Sequence, residues 1–195
     1  MNGVFCISLE GKSHYPHSQM RTDVELMFLP YAGATQETLV DVLIREFASG
    51  KWSSFSAAVA FARESGNYRE LLVSLTDFAR GGGTIEMTFG ANRFAEGEGS
   101  DYRAIEALLR ELGDFPNVHL YLYEQPDRTF HPKLYLFASQ THALLIIGSS
   151  NWTQGGFQRN VEANVLLRLD LSDREQKGAY DRTVDVFHTY WREIQ

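Results

Sequence analysis

Residues 129–150 read TFHPKLYLFASQTHALLIIGSS, and the reading of this stretch decides the fold. Two apolar runs, "TFHPKLYLFAS" and "HALLIIGSS", are separated only by "QT", the spacing of two strands joined by a hairpin. Alternate side chains of a strand share a face. His131, Lys133, Tyr135 and Phe137 therefore fall on one side, while Leu134 and Leu136 point into the other layer. An imidazole and an ammonium at the start of such a strand are costly to bury without partners. They are expected at the open end of a sheet, where ligands of α/β proteins bind.

Working outward, the second strand runs into "GSSNWTQGG" (148–156), a polar tip of small residues in which Ser149 and Asn151 share a face. A third strand is expected over 160–170, "NVEANVLLRLD", with Glu162 set among apolar neighbours. Upstream, strands are expected at 24–29, 54–62, 84–90 and 117–124, alternating with helices at 35–50, 68–83 and 101–112. Thr35 is the expected N-cap of the first helix and Gly50 its stop. This alternation predicts an α/β layer with mostly parallel pairing, followed by the antiparallel hairpin region. The chain closes with a helix from residue 172, where Ser172 and Glu175 fit a capping box. The whole reads as one domain over residues 1–195, with residues 1–22 as a loose polar arm, without repeats or an internal linker.

Composition narrows the function. Apolar residues make up 44% and charged residues 22% of the 195, the balance of a folded domain and not of a disordered chain. No apolar run reaches membrane-spanning length, and the N-terminus lacks the basic head and apolar stretch of a signal peptide. Cys6 is the single cysteine, which excludes an internal disulfide and a cysteine-rich zinc site. A cytoplasmic setting is the expectation. The net charge of −7 weighs against a module that only grips nucleic acid, and less against an enzyme with a local basic pocket.

His-x-Lys alone is a chance pattern. Here it is followed by Gly148-Ser149-x-Asn151 and by Glu162, eleven positions after the asparagine. Together "HPK", "GSSNWT" and "NVEANV" resemble the HKD motif of the phospholipase D superfamily. The match spans residues 131–165. One departure is that the family's aspartate, five residues after the lysine, is Ala138 here. The resemblance implies a mixed β-sheet with helices on both faces and phosphodiesterase activity without a metal or other cofactor. It implies His131 as nucleophile or acid, Lys133 and Asn151 as the phosphate clamp, and Glu162 as the carboxylate orienting a histidine. Ser149 is a supporting residue. Asn92 and Arg93, in the loop after the third strand, are candidates for lining the substrate groove.

The chemistry suits these residue types. A neutral imidazole can attack phosphorus and split one hard step into two. A second, protonated imidazole can supply the leaving oxygen's proton, and an unperturbed pKa of about 6.5 serves both tasks. Yet His14, His17, His119, His142 and His188 all lack a lysine two residues on, so the chain carries half a site. Short single-motif members of the family, largely nucleases, complete theirs by dimerising across a two-fold axis. The resemblance thus implies a homodimer with one shared site and nucleic acid, DNA first, as substrate. Such domains are often joined to a separate recognition or helicase module, and none is visible here.

Other readings stay open. "GSSNWT" suits a plain turn, Glu162 could pair with Arg159 or Arg168, and Trp152 could stack a substrate base or pack the core. His14 and His17 lack a third metal ligand and read as part of the arm. At the level of function the rivals are a phospholipid phosphodiesterase or transferase, and a catalytically silent binding or dimerisation module. Against the first stand the lack of a membrane helix, the single motif and the missing interfacial apolar arm; the second draws on Ala138 and the acidic charge.

Overall fold

The computed structural model describes residues 23–29, 37–91, 99–124 and 129–192. The arm at 1–22 and the expected cap Thr35 lie outside the described residues, as do Asn92 and Arg93. Seven strands form one sheet: β1 (Asp23–Leu29), β2 (Ser54–Val59), β3 (Thr84–Gly90), β4 (Val118–Tyr123), β5 (Lys133–Ala138), β6 (His142–Gly148) and β7 (Glu162–Asp170). Their order is β1-β7-β6-β5-β2-β3-β4. Only β2–β3 and β3–β4 pair in parallel; β5 joins β2 antiparallel, and β6, β7 and β1 follow antiparallel.

The parallel pairing expected of the alternating part holds for β2, β3 and β4 and is corrected for β1. β5 occupies the side of β2 that a parallel neighbour would need, and β1 is displaced to the far edge beside β7. The three residues between β5 and β6 permit only an antiparallel pair, since a parallel pair requires a long crossover.

Helices α1 (Leu39–Ala48), α2 (Arg69–Arg80) and α3 (Tyr102–Leu112) cover one face. Their buried residues, among them Leu43, Leu71 and Leu108, meet Phe55, Phe137 and Leu144 of the sheet in the main core. Phe47, Phe55 and Phe137 pack ring to ring at 4.7–4.9 Å, in the edge-on and tilted arrangements aromatic quadrupoles favour. The fourth helix, α4 (Arg174–Arg192), lies on the other face and buries Phe187 against Leu136, Leu145 and Leu169.

Two helix starts differ from the sequence reading. Thr38 caps α1: its side chain accepts from Asp41 N, and the Asp41 carboxylate accepts from Thr38 N at 2.9 Å, a reciprocal box. Gly50 follows the helix with φ +68°, a backbone that favours glycine. At α4 the cap is Asp173, which accepts from Gln176 N at 2.9 Å. Ser172 instead donates its backbone and hydroxyl hydrogens to Asp170, so the expected Ser172–Glu175 box does not form. The tight turn after β7 uses the serine first.

Candidate active site

The mixed topology gathers the motif. The parallel strands β2–β4 end at the edge of the sheet where β5 begins, β6 ends and β7 begins. His131, the "GSSN" tip and Glu162 therefore meet at one corner, brought there by three neighbouring strands spaced about 4.8 Å apart. His131 stands exposed just before β5, and Lys133 is the first residue of that strand with only 7% of its surface exposed. The Lys133 ammonium lies 2.8 and 3.0 Å from the two imidazole nitrogens and donates to the His131 carbonyl at 3.1 Å. Burial holds the Lys133 pKa below its ordinary value, and the charge of Glu162 pulls it partly back up.

Asn151 is anchored by one end of its amide: Oδ1 accepts from Phe61 N at 3.1 Å. That bond commits the oxygen inward and leaves the Nδ2 hydrogens for a ligand. Phe61, just past β2, is tied twice to the same tip, because its carbonyl also accepts from Trp152 N at 3.0 Å. Its ring stands edge-on to His131, with centroids 5.9 Å apart and an interplanar angle of 79°. Beneath the tip, the buried Tyr135 hydroxyl donates to Ser150 O at 2.9 Å, and Asn164 Nδ2 donates to Ser150 Oγ at 2.9 Å. Burial pushes the Tyr135 hydroxyl well above its ordinary pKa, so it stays a neutral donor.

Glycines let the tip approach this closely. A Cβ on Gly148 would come within 2.4 Å of Ala163 O, and one on Gly156 within 2.6 Å of Asn151 N. Backbone atoms that near leave no room for a side chain.

The geometry corrects one expected role, that of Trp152 as a platform for a base, and gives Glu162 other partners within this chain. Glu162, 8% exposed, accepts hydrogen bonds from the Ser149 hydroxyl and from Asn160 Nδ2, the latter at 3.2 Å. It does not touch the His131 imidazole within this chain and pairs with neither arginine; Arg168 faces Glu46 instead. The Glu162 carboxylate thus holds the tip through Ser149, whose oxygen also accepts from Ala163 N at 3.0 Å, and supplies the charge nearest to Lys133. Trp152 is fully buried and donates from Nε1 to Asn67 Oδ1 at 2.8 Å. It is a core residue and not a platform for a substrate base.

Phe61, Ser150 and Asn164 were not singled out from the sequence. Asn164 carried a signal, a second polar residue two positions after Glu162 in an otherwise apolar strand. Phe61 carried none, because only the placement of β2 beside β5 brings it to the histidine. Ala138 stands at the opposite end of β5, 3% exposed in the apolar cluster under α4. The missing family aspartate is therefore remote from His131, Lys133 and Asn151.

A family model described as "Cardiolipin synthase, PLD-like domain" matches residues 43–177, well over half of the chain and the whole of the motif. The chain belongs to the phospholipase D superfamily. Members of this superfamily are phosphodiesterases. Among solved structures it is similar to NucT from Helicobacter pylori, at 15% identity and a TM-score of 0.62, covering 89% of this chain and 98% of that one. It is also similar to Nuc, a phospholipase D family member from Salmonella typhimurium, at 14% identity and a TM-score of 0.58, covering 90% and 97%. Phosphatidylserine synthase from Haemophilus influenzae shares the fold at 16% identity and a TM-score of 0.61, covering 88% of this chain but 39% of that one. At these identities the likeness is one of fold. No match was found among curated proteins. None of the helices among the described residues is long and apolar enough to cross a membrane.

Proposed function

We propose that this phospholipase D-like chain is a metal-independent endonuclease acting on DNA through a phosphohistidine, at a site completed by a second copy of the chain. The observation that carries the reading is an exposed imidazole in contact with a buried ammonium, beside an asparagine amide whose oxygen is already committed inward.

A phosphodiester entering the corner draws the Lys133 ammonium from the imidazole to a non-bridging oxygen, which frees a ring nitrogen of His131. Asn151 Nδ2 donates to the other oxygen, so both donors oppose the charge that builds in the transition state. The freed nitrogen attacks phosphorus, the bond to the leaving oxygen breaks, and the partner's imidazole gives that oxygen its proton. The same imidazole then takes a proton from water, which attacks the phosphohistidine and releases His131. Glu162 keeps Lys133 charged and the tip in place.

Two features support the shared site. The chain carries one motif and spans nearly the full length of the NucT and Nuc chains. Phe28, Ile147 and Val161 beside the corner, and Leu26 and Val24 further along β1, are 41–69% exposed. Register puts the β1 and β6 residues of this group on the sheet face that α4 only partly covers. Contiguous apolar surface of that kind marks an interaction site. An open, polar corner also suits an extended polyanion better than a lipid, whose chains need an apolar cleft.

The test is cleavage of plasmid and single-stranded DNA in excess EDTA, with wild type and His131→Ala side by side. Cleavage by wild type alone is expected. Turnover of phospholipid vesicles with none of DNA would move the substrate to the lipid class, and phosphate-dependent binding without turnover would make the chain a silent module.

A further inference from the structure

A cavity of about 550 Å³ lies away from the His131 corner. It opens at the opposite end of the strands, between the β5–β6 turn, the end of β7, the start of α4 and the link from α1 to β2. The seven residues of β6 separate the two places by about 20 Å, so a group held in one cannot react in the other. Its volume lies in the range of sites for small organic ligands, about 300–1,000 Å³.

The wall is rich in uncommitted donors, while its acceptors are largely committed. Ser139 Oγ accepts from the amides of Thr141 and His142 and donates to His142 O. Asp170 Oδ1 accepts both hydrogens of Ser172, and Gln176 Oε1 accepts from Asp170 N at 3.0 Å. What remains is the Gln176 amide nitrogen, the Arg168 guanidinium and the Lys51 ammonium. Arg168 meets only Glu46, at 3.6 Å through one nitrogen, and the exposed Lys51 side chain has no ion pair or hydrogen bond among the described residues. On a chain of net charge −7, the two cations Lys51 and Arg168 outnumber the one lining carboxylate, Asp170, so the wall is locally positive and favours an anion. The rest of the lining is apolar, with Trp52, Ala143 and Leu169, which suits an organic body attached to that anion.

We infer that this cavity is a second binding site, for a phosphate ester of mononucleotide size, held at its phosphate by Lys51, Arg168 and the Gln176 amide. The same chemistry is offered by a free nucleotide and by the phosphorylated end of a nucleic-acid strand.

Calorimetric titration tests it, with AMP, inorganic phosphate, and a short oligonucleotide with and without a 5′-phosphate. The proteins are wild type, Lys133→Ala to silence the motif corner, and Lys51→Glu with its melting temperature checked. AMP is expected to bind wild type and Lys133→Ala alike, more tightly than inorganic phosphate, and to lose about tenfold or more with Lys51→Glu, which reverses one charge at the phosphate. Preference for AMP over the phosphorylated oligonucleotide assigns a free nucleotide, and the reverse assigns a strand end; both support the site. The inference is overturned if neither AMP nor the phosphorylated oligonucleotide binds up to about 10 mM, a limit of under 3 kcal/mol. It is overturned equally if AMP binds no better than inorganic phosphate, or if binding survives Lys51→Glu and disappears with Lys133→Ala.

Discussion

Asn151 has two jobs at two ends of one amide, and a pair of substitutions separates them. Its Oδ1 accepts from Phe61 N at 3.1 Å, at a part-buried position, and its Nδ2 is the proposed phosphate donor. Asn151→Asp keeps the acceptor for Phe61 but turns a carboxylate oxygen toward the substrate. Asn151→Ala removes both. An amide left without its partner in a part-buried place costs about 1–2 kcal/mol, which for a domain of this size lowers the melting temperature by about 2–8 °C. The Asp variant, with the bond retained, melts within about 2 °C of wild type. Loss of one transition-state donor slows turnover by about 10²–10³; the Asp variant, adding repulsion, loses at least as much. Thermal melts and DNA cleavage on the same preparations read both effects. Asn151→Asp retaining activity within tenfold, or Asn151→Ala melting with wild type, would refute this division of the side chain.

Other consequences follow from single contacts. Gly66→Ala places a Cβ 2.3 Å from Trp152 O, a backbone atom that cannot step aside; a loss of about 1–3 kcal/mol and reduced activity are expected, read by denaturant melts and cleavage. Lys133 must be charged to hold phosphate, and burial already lowers its pKa while Glu162 raises it. Activity is therefore present below the folded-state pKa of Lys133 and lost as pH rises through it. Glu162→Gln removes the raising charge, so the alkaline limb of the pH–rate profile moves to lower pH; an unmoved or rising limb would contradict the electrostatic role. Mixing wild-type with His131→Ala chains tests the shared site: mixed dimers that keep half or more of wild-type activity would exclude it.

The sequence by itself determined the layer class and the motif. Period-two alternation in "KLYLFA" and "HALLIIG", and capped apolar helices between strands, are local signals, and β5, β6 and β7 were legible from them, with the polar residues they bring to one corner. Only the tertiary structure decided pairing and partners. β1 lies beside β7 because long-range register, not proximity in sequence, selects a neighbour. The same long-range order brings Phe61 to His131 and aims Asn151 through a bond ninety residues away in the chain. It gives the Glu162 carboxylate to Ser149 instead of an imidazole and closes Trp152 into the core. Spacing can name which side chains a strand delivers to an edge. Which of them touch depends on the strands that sheet order sets on either side.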